Sequence, residues 1–117
     1  MSGKLSTHVL DTAGGRPAAG VPLELRRMNG GAEELVLETK TNADGRTDGP
    51  LLSGSELTAG DYRIVFGVEA YFSAQGHPDA GAFLGRVGVD FRVSDPDAGY
   101  HVPLLVSPWS YTTYRGS

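Results

Sequence analysis

Cysteine is absent from all 117 residues, which removes disulfide staples, zinc-thiolate centres, iron–sulfur ligation and thiol nucleophiles from the chemistry available. Long apolar runs are absent too: the longest aliphatic stretches, around Ile64–Phe66 and Val102–Val106, fall far short of the roughly 20 apolar residues that a membrane-spanning helix needs. Nor is positive charge in excess. Ten Lys and Arg stand against 14 Asp and Glu, a formal net charge of -4, so the surplus that neutralises phosphates is missing and nucleic acid is not an expected partner. Behind the opening Met1–His8 there is no apolar stretch or small-residue cleavage site, so no signal peptide is expected and the cytoplasm is the expected compartment. The Gly-x-Ser-x-Gly elbow, the Gly-x-x-x-x-Gly-Lys phosphate loop and the His-x-x-x-His zinc pair are also missing, so any chemistry must be assembled from distant segments.

Glycine, by contrast, is plentiful: 17 residues, scattered as punctuation between short apolar stretches. Those stretches alternate with period two. Leu5/Thr7/Val9, Val21/Leu23/Leu25, Leu35/Leu37/Thr39, Tyr62/Ile64/Phe66/Val68 and Val87/Val89/Phe91/Val93 each read as a strand with one face turned to a core. Two more strands are expected at His101–Val106 and Trp109–Tyr114, joined through a hairpin turn at Ser107-Pro108. Only Val68–Ala74 lacks alternation and stops at Gly76 with Pro78 just beyond, which predicts one short helix. Seven or eight short strands separated by turn signals predict an all-β fold, a two-sheet antiparallel sandwich.

The polar residues offer few candidates. Asn42-Ala43-Asp44-Gly45 has some look of a calcium loop, but Lys40 takes the first ligand position and Leu51 the place of the bidentate glutamate, so it reads as a turn with Arg46 behind it. His8 lies on the face of its strand opposite Leu5, Thr7 and Val9 and should project outward. His101 opens an apolar strand, whereas His77 sits in a Gly-His-Pro-Asp loop. Taken singly, an outward strand histidine, an arginine after a turn and a polar tail are ordinary surface features.

Taken together, two ends of the chain carry a resemblance. Leu5-Ser6-Thr7-His8-Val9-Leu10-Asp11 with Gly15-Arg16-Pro17-Ala18, and His101-Val102-Pro103-Leu104-Leu105, Ser107-Pro108, Tyr111, Thr113 and Tyr114-Arg115-Gly116-Ser117, are similar to the opening and closing signatures of the 5-hydroxyisourate hydrolases, the enzyme branch of the transthyretin family. The likeness spans the chain and implies one transthyretin-like domain over residues 1–117. It departs from the family's pattern at Gly99, where many members have a histidine, and at Trp109-Ser110, where Tyr-Gly is usual.

What the resemblance implies is a homotetramer, a dimer of dimers with its sites at the dimer–dimer interface. The implied reaction is hydrolysis of a ring amide of 5-hydroxyisourate, which opens the six-membered ring in urate degradation. It assigns catalysis to His8, Arg46, His101 and Ser117, and substrate binding to Tyr114, Arg115 and Gly116. No metal and no organic cofactor is implied. Histidine suits proton transfer near neutral pH, and a permanently charged guanidinium suits a developing oxyanion. A transthyretin-like carrier without catalysis, or an adhesive sandwich domain, are the alternative readings.

Overall fold

Alternation along β1 (Lys4–Asp11) decides the first layer: Leu5, Thr7, Val9 and Asp11 are buried, while Ser6, His8 and Leu10 face outward. In this computed structural model, which describes residues 3–116, the other strands are β2 (Arg16–Pro17), β3 (Pro22–Asn29), β4 (Ala32–Lys40), β5 (Leu52–Ser53), β6 (Gly60–Phe66), β7 (Val87–Val93), β8 (Tyr100–Val106) and β9 (Tyr111–Thr113). The longer strands fall where they are expected, but β4 leaves Leu35 46% exposed rather than in the core, and the strand expected over Trp109–Tyr114 is only Tyr111–Thr113. The two-residue β2 and β5 are additional, because segments so short carry no periodicity to read.

The strands form two sheets. One has the order β2-β1-β8-β9, with β5 also pairing with β1, and the other the order β4-β3-β6-β7. Pairing is antiparallel except between β1 and β8, which run parallel in the register Leu5↔Tyr100 through Asp11↔Val106. That parallel pair lies at the centre of its sheet. The core fills the space between the layers with Leu5, Val9, Leu104 and Val106 from one sheet and Leu25, Tyr62, Ile64 and Phe66 from the other. Thr7 is buried among them without an orphaned hydroxyl, since its Oγ1 donates to the Val102 carbonyl at 2.7 Å.

The helix α1 (Val68–Ala74) matches the predicted span and buries Val68, Tyr71 and Phe72. Val68 belongs to this helix alone, since β6 ends at Phe66 and Gly67 turns the chain. Gly76, at φ 71°, supplies the left-handed residue that follows the helix end. Tyr71 donates its hydroxyl to Asp11 Oδ2 at 2.8 Å, and the Gly14 N–H donates to Asp11 Oδ1 at 2.7 Å. The helix is thereby tied to the end of β1, and burial, then the Asp11 carboxylate, push the Tyr71 hydroxyl pKa up.

Candidate active site

The parallel register of β1 and β8 sets outward residues side by side: Ser6 beside His101, His8 beside Pro103 and Leu10 beside Leu105. His8 and His101, 93 positions apart in sequence, thus become diagonal neighbours on one sheet face.

Arg46 reaches the same face from the other side of β1. The Asn42 Oδ1 accepts hydrogen bonds from the backbone N–H groups of Asp44 and Arg46, closing an Asx turn. Gly45 follows at φ 76°, and a Cβ there would strike the Val9 carbonyl oxygen, so the turn can press against β1 only with glycine at this place. Val9 then donates its N–H to the Gly45 carbonyl at 2.7 Å, and Arg46 bridges to His8.

Each imidazole is oriented by a neighbour. His8 Nε2 lies 2.9 Å from the Asp44 carbonyl oxygen. A carbonyl has no proton to give, so Nε2 is the donor and a neutral His8 keeps its lone pair on Nδ1. His101 Nδ1 and Ser6 Oγ share a hydrogen bond of 2.9 Å. On the other side of the His101 ring, Gly116 donates its N–H to the His101 carbonyl at 2.7 Å. A Cβ at Gly116 would sit 2.5 Å from His101 Cδ2, so only glycine lets the terminal segment lie this close to the imidazole. Burial, and after it the positive charges of Arg46 and His8, hold the His101 pKa below its ordinary value of 6.5. That influence requires Arg46 and His8 to lie near the His101 ring.

The remaining assigned residues divide. Tyr114 is 58% exposed. Arg115 lays its guanidinium 4.4 Å from the centroid of the Tyr100 ring and donates from Nη2 to the Gly99 carbonyl at 2.9 Å, which fastens the terminal segment to the loop before β8. Ser117 lies outside the described residues. His77 is elsewhere, accepting the Asp79 N–H at its Nδ1 and meeting Phe72 edge-on. Ser6, Asn42 and the Asp44 carbonyl were not singled out by sequence reasoning; Ser6 carried the one available signal, sharing the outward face of β1 with His8.

Cavity size does not locate this chemistry. A small hollow of about 190 Å³ adjoins Arg46 and is lined by Lys4, Ser6, Thr47 and Pro50, among others. A larger one, about 860 Å³, lies on the other sheet against α1 and contains neither histidine. Among the described residues no group of three or more His, Asp or Glu is placed to hold a metal ion.

Comparison with known proteins follows the same lines. The HIUase/Transthyretin family matches residues 5–116. The 5-hydroxyisourate hydrolase 2 of Rhizobium meliloti is 51% identical over 99% of this chain and 98% of its own. The solved 5-hydroxyisourate hydrolase of Klebsiella pneumoniae superposes with a TM-score of 0.81 at 33% identity, covering 98% of this chain and 99% of that one. A structure of (S)-allantoin synthase superposes at 0.93 with 45% identity over 99% of this chain, which spans only 44% of that longer one.

Proposed function

This chain belongs to the HIUase/Transthyretin family, and on that premise we propose that it hydrolyses 5-hydroxyisourate, opening the six-membered ring at a cyclic amide. The observation that carries the proposal is the convergence of His8, Arg46 and His101 on one outward sheet face, with the His101 pKa drawn below its ordinary value by burial and then by Arg46 and His8.

Neutral His101 is the base. Its Nε2 takes a proton from water as the water oxygen bonds to the amide carbon, and the carbonyl electron pair moves onto oxygen. Arg46 faces the resulting oxyanion and the anionic ring; its guanidinium does not deprotonate and stabilises the charge where it develops. Collapse of the tetrahedral intermediate breaks the carbon–nitrogen bond, and the proton on Nε2 passes to the departing nitrogen. His8, anchored by the Asp44 carbonyl, turns Nδ1 toward the substrate as the second proton carrier. Ser117, outside the described residues, is assigned to the same site, its hydroxyl to bind the ring. Tyr114 contributes its exposed phenol to binding, Gly116 the close backbone approach, and Arg115 the anchoring of the segment.

The outward position of His8, Arg46 and His101 fits a site closed by a second copy of the same face. The protein acts as a homotetramer, a dimer of dimers, in the cytoplasm, with sites at the dimer–dimer interface. A dilute monomer with full turnover would contradict that assembly. The activity itself is tested by generating 5-hydroxyisourate in situ from urate and following the loss of its ultraviolet absorbance. Accelerated decay supports hydrolysis, and unchanged decay with folded protein moves the reading to a carrier.

A further inference from the structure

We propose that Ser6 is a positioning residue that fixes the tautomer of His101: its hydroxyl oxygen accepts the Nδ1–H and so leaves the proton-accepting lone pair on Nε2. The inference rests on His101 being the base of the proposed hydrolysis. A neutral imidazole carries one N–H, and which nitrogen holds it is set by the partner of the other. Nδ1 turns to Ser6 Oγ on β1 at 2.9 Å, and the Cδ2 edge is covered by Gly116, so Nε2 is the nitrogen left to project from the sheet.

A serine hydroxyl can accept or donate, and the surroundings decide which it does. Arg46 and His8 bring positive charge to the neighbourhood of His101. With Nδ1 held against Ser6, nearby positive charge is best met by a lone pair on the other nitrogen, and this favours the proton on Nδ1. The Ser6 oxygen then accepts that N–H in the neutral ring and in the imidazolium alike, so the bond persists through the proton cycle. Without it, the neutral ring also populates the Nε2–H tautomer, which has no lone pair with which to take a proton from water.

The adjacent hydroxyl shows the contrast. Thr7, one position on and therefore on the opposite face, spends its hydroxyl on the Val102 carbonyl in the core, a purely structural contact.

The test combines a tautomer measurement with kinetics. In protein with ¹⁵N-labelled histidine, long-range ¹H–¹⁵N correlation at a pH where His101 is neutral should show the Nδ1–H form in the unsubstituted chain. Ser6→Ala should move His101 toward the Nε2–H form and lower kcat about tenfold, the scale of one lost hydrogen bond, with KM nearly unchanged. Ser6→Thr, which restores the hydroxyl, should recover both readings. Ser6→Cys, close in size but a much weaker acceptor, carries the same test should the alanine variant fail to fold. An unchanged tautomer in Ser6→Ala, or full turnover by that variant, overturns the proposal. Failure of the hydrolase reading is distinct, because it appears as inactivity of the unsubstituted protein, whereas the tautomer needs no substrate to be read.

Discussion

The two outer faces of the sandwich carry cationic side chains in opposite states. On the four-stranded sheet Arg26 is paired with Glu24, Arg63 with Asp90 and Glu33, and Arg92 with Asp61. On the five-stranded sheet His8, Arg46 and His101 face one another, and among the described residues none of them has a carboxylate within ion-pair distance. The consequences have opposite signs. Hydrogen bonds from Arg63 and Arg92 draw the Asp90 and Asp61 carboxyls below their usual range, whereas burial and then Arg46 and His8 draw His101 below the usual imidazole value. Paired charges neutralise each other and leave a solvated face with little to offer a ligand. Charges with no carboxylate partner among the described residues leave a field for an anion to answer and favour the unprotonated base.

The contrast is broken most severely by removing the base. His101→Asn should keep the fold and lower kcat by roughly 10² to 10⁴, the range for a lost general acid/base, as read in the absorbance assay. Next in size, Arg46→Ala should cost roughly 10² to 10³ in kcat, the scale of a lost oxyanion contact, and Arg46→Lys should restore only part because one ammonium does not reproduce the guanidinium fork. Gly116→Ala forces its methyl against His101 Cδ2 and should slow turnover roughly 10- to 100-fold by displacing the ring, visible as a kcat loss in folded protein. At the other end of the scale, Arg63→Ala on the paired face should leave kcat/KM within about twofold, since exposed ion pairs contribute little. A large activity loss there would remove the distinction between the faces.

Much of this was legible in the sequence, and the physical reason differs from element to element. Leu5, Thr7 and Val9 announce an inward face by period two, so the outward direction of His8 follows at once. Val68–Ala74 is helical because its alternation stops and Gly76 ends it. Asn42-Ala43-Asp44-Gly45 is a turn by its residues alone. Pairing is another matter. Nothing local to β1 or β8 says that they lie parallel and adjacent, so the meeting of His8 with His101, and of Ser6 with His101, had no local signal. The glycine of the terminal segment is a similar case. Gly116 has no positive φ to betray it, and its requirement comes wholly from an imidazole 15 positions upstream that presses on it in space.

The central claim is that the positive charge of Arg46 on this face tunes His101, and it is tested most directly by the pH dependence of kcat/KM in the unsubstituted protein and in Arg46→Ala. A base whose folded pKa is lowered remains unprotonated as pH falls through the ordinary 6.5, so the acid limb should lie below that value. Removing the Arg46 charge should move the limb upward in pH while lowering the plateau. An acid limb at or above 6.5 in the unsubstituted protein, or one that stays in place in Arg46→Ala, would contradict the account.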